Sequence, residues 1–368
     1  MKKLLFICLS LLFFGQINAQ NRFPRPDFES GYQYPEITHP VPNETLWITV
    51  DIILLILLMS IVAWAALKKR TRQPVIWVSI ISVAYFGFFR SGCVCSIGSI
   101  QNVSLALVDS TYILPLPVLL FFILPVLFAF LFGRVFCAGV CPFGALQELV
   151  NLKNYRLSKA VTAVLGMIPW IYLIFAILYA VTRSGFIICR FDPFVGIFRL
   201  GGDFGLILFG VLLLITAIFT GRPFCRFICP YGALLSLFSG VSIWKIKLTQ
   251  KPCINCELCR NACPVDAIKP PYENKVKENR LQGVKRIIKY FIFLPLMVLA
   301  GAFLMRSAGS DFKLYFTIAG ALIGLVIGVT LINLSVKRTR KQYEIDSAGC
   351  VACGKCFGYC PQNKMSKP

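Results

Sequence analysis

The sequence predicts an all-α polytopic membrane bundle of about seven transmembrane helices, with a small α+β domain held on one side of it. Three observations predict this. Of 368 residues, 57% are hydrophobic, and mean hydropathy is +0.73. Several apolar runs reach the roughly 17–25 residues that a helix needs to cross a bilayer. Twelve of the sixteen cysteines fall into short, evenly spaced groups that break up or follow those runs.

The apolar runs place helices near 46–67, 74–90, 112–132, 160–181, 204–220, 288–305 and 313–334. Ahead of them, "MKKLLFICLSLLFFGQINAQ" has two lysines, a short apolar core and the small residue Ala19. That is the shape of a cleaved signal peptide, with an uncleaved anchor as the alternative. Cys8 would leave with it. Residues 20–45 are rich in Pro, Asn and aromatics and read as a short exported segment.

The formal charge is +22, but its distribution matters more than its size. The first helix ends in "KKRTR", a cytoplasmic signal. Alternation from there puts 28 of the 38 Lys and Arg in the inferred cytoplasmic regions, as the positive-inside rule requires. Nucleic-acid binding is excluded on that ground. The expected location is the bacterial cytoplasmic (inner) membrane, with the C-terminus cytoplasmic. His39 is the single histidine, so this chain cannot by itself hold a bis-histidine haem, and no haem is expected.

Two strings, "CINCELCRNACP" (253–264) and "CVACGKCFGYCP" (350–361), each read Cys-x2-Cys-x2-Cys-x3-Cys-Pro. Such spacing suits a [4Fe-4S] cubane. Three thiolates come from one tight loop, and in two-cluster proteins the fourth ligates the other cluster. That assigns Cys253, Cys256, Cys259 and Cys360 to one cluster, and Cys350, Cys353, Cys356 and Cys263 to the other. Zinc favours paired ligands over this even spacing. "PVDAIK" follows Cys263, but only "PQNKMSKP" follows Cys360, so the second half is expected to lack a closing strand. The two strings are split by a helical hairpin, which crosses twice and returns them to the same side. The appended domain is thus a two-cluster ferredoxin-like fold.

An internal repeat sits in the membrane part. "GRVFCAGVCPFGAL" (133–146) and "GRPFCRFICPYGAL" (221–234) align without gaps. Each follows an inward helix, and "RSG" at Arg90 and Arg183 ends each preceding outward one. Within the repeats, Cys137 and Cys141, then Cys225 and Cys229, are spaced i, i+4, one face of a helix. Together they could give four ligands to a further metal or iron–sulfur centre. The alternative is cysteine as a small buried hydrophobe. Cys93, Cys95 and Cys189 fall on the exported side, where a disulfide, metal or cluster ligation, and inert packing are all open.

The expected organisation is therefore a signal peptide (1–19), an exported segment (20–45), a transmembrane domain with duplicated hairpins (46–250), half a ferredoxin domain (251–283), a transmembrane hairpin (284–336) and the other half (337–368). Paired CxxxCP motifs at membrane helix ends, followed by ferredoxin-type runs, resemble the NosR/NapH-type membrane polyferredoxins. "CPFGALQE" and "CPYGALLS" are the most specific strings, and the likeness covers about residues 75–361. The resemblance implies electron transfer between the quinone pool or a cytoplasmic donor and an exported redox protein. Residues 20–45 are too few for the exported flavin domain of the nitrous-oxide-reductase-associated type. An exported flavoprotein, or other membrane subunits, would then be partners. The competing reading is a redox sensor or an assembly factor for an exported reductase. No nucleotide loop and no nucleophile–base constellation argue for a catalytic enzyme.

Overall fold

The computed structural model describes residues 45–92, 96–199, 204–248, 253–272, 280–292, 295–296, 298, 313–336, 339–340 and 342–361. Helix α1 (Thr45–Trp64) runs on as a π-helical turn, Ala65–Lys69, and stops at Arg70, whose φ of 49° cannot continue it. Helix α2 (Gln73–Ser82) opens with a proline in its first turn, where a missing N–H costs nothing. It too extends as a π-helical segment, Val83–Phe89. Helices α3 (Ser99–Val108) and α4 (Leu116–Phe132) follow, and Gly133, at φ 83°, ends the latter.

After α5 (Pro142–Leu149) comes the long α6 (Lys159–Val181), capped by Ser158, whose hydroxyl accepts from the Val161 N–H at 3.3 Å. Two short helices, α7 (Ile187–Phe191) and α8 (Pro193–Phe198), precede α9 (Phe204–Phe219), α10 (Pro223–Phe227) and α11 (Pro230–Gly240). The remaining elements are α12 (Leu258–Ala262), β1 (Ile268–Lys269), α13 (Arg280–Phe291), α14 (Lys313–Ser335), β2 (Glu344–Ile345) and α15 (Lys355–Tyr359).

Among the described residues, three helices are long and apolar enough to cross a membrane: Leu46–Lys69, Lys159–Val181 and Leu314–Ser335. At 1.5 Å per residue the 23 residues of α6 span about 34 Å, more than the ~30 Å hydrocarbon core. Four further apolar helices are shorter: Gln73–Phe89, Ser99–Val108, Leu116–Phe132 and Phe204–Phe219. Of the seven expected helices, six have counterparts within a few residues of the expected ends; most of 288–305 lies outside the described residues. Helix α3 has no counterpart in the sequence reading.

Helix α1 packs on α2 and α4, α6 on α3, α11 and α14, and α11 on α4. One buried carboxylate sits inside an apolar span: Asp51, near the start of α1. A charge there needs a partner, and Arg90 at the end of α2 supplies it, with Nη2 2.6 Å and Nε 2.9 Å from Oδ2. This pair marks one end of the bundle. At the same end, Arg199 donates to the Ser91 carbonyl and Arg183 pairs with Asp109. The cysteine pairs lie at the other end, beyond the basic segment that closes α1.

The two ferredoxin-type runs meet. Helix α12 packs on α15, and β1 pairs antiparallel with β2, Ile268 opposite Ile345 and Lys269 opposite Glu344. An isolated bridge joins Tyr272 to Arg340. The strand that pairs with β1 thus comes before the second run, not after it. This removes the need for the closing strand that the residues after Cys360 seemed too few to build.

A candidate electron-transfer site in two cysteine layers

Backbone geometry places the sulfurs first. Each of the four Cys-Pro cysteines has extended backbone, with ψ of 116° at Cys141, 113° at Cys229, 114° at Cys263 and 114° at Cys360. The cause is the proline that follows, whose Cδ disfavours the α region in the residue before it. This corrects the expectation that Cys137/Cys141 and Cys225/Cys229 share one helical face. Cys137 lies in the π-helical turn Phe136–Val140 and Cys225 in α10, while Cys141 and Cys229 have left the helix and begin the next one. The Cys229 Sγ accepts the Gly232 N–H at 3.3 Å, a thiol doing the work of an N-cap.

The upper layer joins the two repeats. All four of its cysteines are buried. A Cβ on Gly144 would lie 3.2 Å from the Cys225 Sγ, so the second repeat's sulfur packs tightly against the first repeat's helix. Burial pushes the Cys225 thiol up to about 12, with Cys137 adding to it, and raises Cys229 with Cys225, Cys137 and Cys141 around it.

Arginines from the two Gly-Arg pairs cross between the repeats. Arg222, fully buried, donates to the carbonyls of Cys137 and Ala138 and, through Nε at 3.0 Å, to Glu148. Arg134 donates to the carbonyl of Cys225 at 3.4 Å. Gln147 accepts the Phe224 N–H. Sequence reading found the Gly-Arg repeat and "CPFGALQE" but gave neither arginine, nor Gln147 or Glu148, a role.

The lower layer holds the two ferredoxin-type runs. Its loops turn alike: Asn255 and Glu257 have φ of 54° and 59°, Ala352 and Gly354 of 57° and 69°. Left-handed backbone at three non-glycine residues is costly; here it bends each run around a common interior. Cys263 lies with Cys350, Cys353 and Cys356, and these four line one cavity with Ile246, Val351 and Phe357. Cys360 lies within electrostatic reach of Cys259, which also faces Cys253 and Cys256. Backbone N–H groups point at sulfur: Ala267 donates to Cys263 at 3.3 Å, and Ala352 and Lys355 face Cys350 and Cys353. Burial pushes the Cys350 thiol up to about 12 and the Cys353 thiol to about 11. Thiolates at such sites need a bound cation.

The cavity, the N–H donors and the crosswise grouping fit a cubane. Among the described residues no group of three or more His, Cys, Asp or Glu is arranged around a single metal ion.

The layers touch. A Cβ on Gly221 would fall 2.2 Å from the Pro264 carbonyl oxygen, so the second repeat's turn presses on the Cys263–Pro264 loop. Lys355 reaches Asn151 at 3.3 Å and Glu148 at 3.8 Å, Ser239 donates to the Ser347 carbonyl at 2.7 Å, and Arg70 lies over the Phe357 ring. The two ferredoxin sets are thus unequal: Cys253 and Cys256 are exposed, while in the other set Cys353 shares the electrostatic reach of Arg222 with Cys225 of the membrane layer. Cys189 is an exposed free cysteine on α7; Cys93 and Cys95 lie outside the described residues.

Residues 114–159 and 203–249, which contain the two CxxxCP repeats, both match a family described as a 4Fe-4S binding domain. A second family of the same description matches 250–269, the first ferredoxin-type run. The protein MJ0749 of Methanocaldococcus jannaschii is 34% identical over 155 residues, which is 39% of this chain and 56% of that one. Its neighbour in name, MJ0750 of the same organism, is 30% identical over 49% of this chain and 77% of its own length. Regulatory protein NosR of Stutzerimonas stutzeri is 30% identical over 55% of this chain and 30% of its own. Protein NirI of Paracoccus denitrificans and ferredoxin-type protein NapH of Haemophilus influenzae also match.

The chain belongs to the NosR/NapH-type iron–sulfur membrane proteins. It spans about half the length of MJ0749 and under a third of that of NosR. No solved structure matches it. The relatives that carry functional names have electron-transport, ferredoxin-type or regulatory ones rather than those of catalytic enzymes.

Proposed function

We propose that this protein carries electrons through the membrane, between the quinone pool or a soluble donor on the ferredoxin side and an exported redox protein or flavoprotein. The observation that carries the reading is the contact between layers: a ferredoxin-like cavity lined by Cys263, Cys350, Cys353 and Cys356 rests on a membrane layer holding Cys137, Cys141, Cys225 and Cys229. In this reading two [4Fe-4S] clusters supply one-electron carriers. Cys253, Cys256, Cys259 and Cys360 hold the exposed one, and Cys263, Cys350, Cys353 and Cys356 the buried one. The hydrocarbon core is about 30 Å thick, too far for one tunnelling step, so a further centre is needed above them. The candidate ligands are the four CxxxCP cysteines at the ferredoxin end and Cys93, Cys95 and Cys189 at the exported end, and the family match over both repeats supports iron–sulfur at the former.

The test is iron counting and EPR on anaerobically purified full-length protein. Roughly eight irons per chain belong to the two ferredoxin-type sites. Cys256→Ser removes one cluster's signal and leaves the other. Stoichiometric zinc without iron would rule the reading out. A regulatory or assembly role is the second reading, favoured by the name of the NosR relative.

The same reading sets the topology. Seven helices place the ferredoxin domain and the C-terminus in the cytoplasm of a cell with an inner membrane. A reporter fused after Pro368 then behaves as cytoplasmic and one at Ser307 as exported. An exported C-terminal reporter means that the helix count is wrong by one.

A further inference from the structure

The two repeats are nearly symmetric in their arginines but not in their carboxylates. Aligning "GRVFCAGVCPFGALQE" with "GRPFCRFICPYGALLS" sets Arg134 against Arg222 and Glu148 against Ser236. Arg222 crosses to the first repeat and meets Glu148 at 3.0 Å. Arg134 crosses to the second repeat, where the matching position is Ser236. Both residues line one half-open cavity between the layers, and the bond from Arg134 to the Cys225 carbonyl matches that from Arg222 to the Cys137 carbonyl; Asp266 and Asp346 line the cavity too, but neither forms an ion pair with Arg134.

Arg134 is consequently a buried cation, 6% exposed, that pairs with no carboxylate among the described residues. It donates to the carbonyls of Ala348 at 3.5 Å and Cys225 at 3.4 Å and lies 3.9 Å from the Cys137 Sγ, and its Nε has no partner. An uncompensated buried charge is costly, and burial magnifies its effect on anything charged nearby. Its neighbours are cysteines of both layers. Ala348 is two residues from Cys350, and Cys350 and Cys225 both lie within its field. The positive charge therefore stands where one layer faces the other.

We propose that Arg134 is a positioning residue that sets the reduction potential of the centre held by Cys263, Cys350, Cys353 and Cys356: a cation left unpaired because Ser236 stands where the first repeat has Glu148, favouring the reduced form. The inference rests on the electron-transfer reading above. An electron arriving at that centre adds negative charge, and a fixed, buried guanidinium stabilises it. The exposed set at Cys253 and Cys256 lies outside this junction, so the charge separates the two centres in potential and draws the electron toward the membrane cysteines.

The experiment is a stepwise anaerobic reduction of the full-length protein followed by EPR. Ser236→Glu supplies the missing acid while leaving Arg134 in place. It lowers the midpoint of one cluster and leaves the other unmoved, and the shifted signal is the one that survives in a Cys256→Ser background. Arg134→Gln lowers the same midpoint, whereas Arg134→Lys, which keeps the charge and loses the planar fork, stays near wild type. A purely structural arginine would instead make Lys and Gln behave alike. Two cluster signals with midpoints unmoved by Ser236→Glu, or moved together, overturn the proposal and leave electron transfer standing. Wild-type protein without iron–sulfur signals overturns both.

Discussion

Replacing Cys137, Cys141, Cys225 and Cys229 together by serine abolishes electron transfer to an exported acceptor and leaves both ferredoxin-type centres reducible from their own side. The four sulfurs are buried at the junction, and nothing else among the described residues offers soft ligands between the lower layer and the bundle. Serine is the right replacement because it keeps the local structure. A hydroxyl at position 229 still accepts the Gly232 N–H that the sulfur now accepts, and the pre-proline backbone is untouched. The measurement is transfer across proteoliposomes from a reductant on one side to an acceptor on the other, read beside the EPR of the lower centres. Unchanged transfer would take the quartet out of the path. The companion variant, Cys93, Cys95 and Cys189 to serine, separates the two ends of the route. Loss there with the quartet intact places the handover at the exported end.

The parts of this structure that were legible in the sequence are those written in local pattern. Apolar runs gave the ends of α6 and α14 to within one residue, because a span's length and its charged flanks fix its limits. Cysteine spacing led to the expectation of a crosswise ligand assignment, and the chain lines one cavity with Cys263, Cys350, Cys353 and Cys356. What could not be read was non-local or conformational. The arginine crossings join residues more than 80 positions apart, and a repeated Gly-Arg says only that something recurs. Helix α3 was passed over because "SIQNVSLALV" is short and half polar; its place is set by Gln101, which donates to the Ala176 carbonyl and accepts the Ile188 N–H. The i, i+4 spacing of the CxxxCP cysteines pointed to one helical face, but the proline after the second cysteine outweighs helical periodicity. The strand pairing of the lower domain was sought after Cys360, whereas the chain supplies it from residues before Cys350.

Glu148→Gln destabilises the protein by about 3–5 kcal/mol, the cost of leaving a buried charge without its partner. Glu148 is 7% exposed and accepts from Arg222 and Arg72, each at 3.0 Å, with Lys355 3.8 Å away. Arg222 is fully buried and sits against the carbonyls of Cys137 and Ala138, so it has no route to water once the carboxylate is gone. The loss also loosens the junction, because Lys355 belongs to the ferredoxin-like domain and Glu148 to the membrane layer. Arg72 is the most exposed of the three cations, and Arg72→Gln costs only about 1 kcal/mol. The same network fixes a pH dependence. Burial raises the Glu148 pKa, but Arg222, Lys355 and Arg72 more than offset this and hold it below the usual carboxylate range. A group whose folded value is depressed stabilises the fold fully above its unfolded value, about 4.3, and that stabilisation is lost as pH falls through the folded value. Thermal unfolding in detergent at a series of pH values therefore shows wild type and Glu148→Gln far apart at neutral pH and converging in acid. Curves that stay parallel through the acid range would mean that the charge on Glu148 does not hold the two layers together.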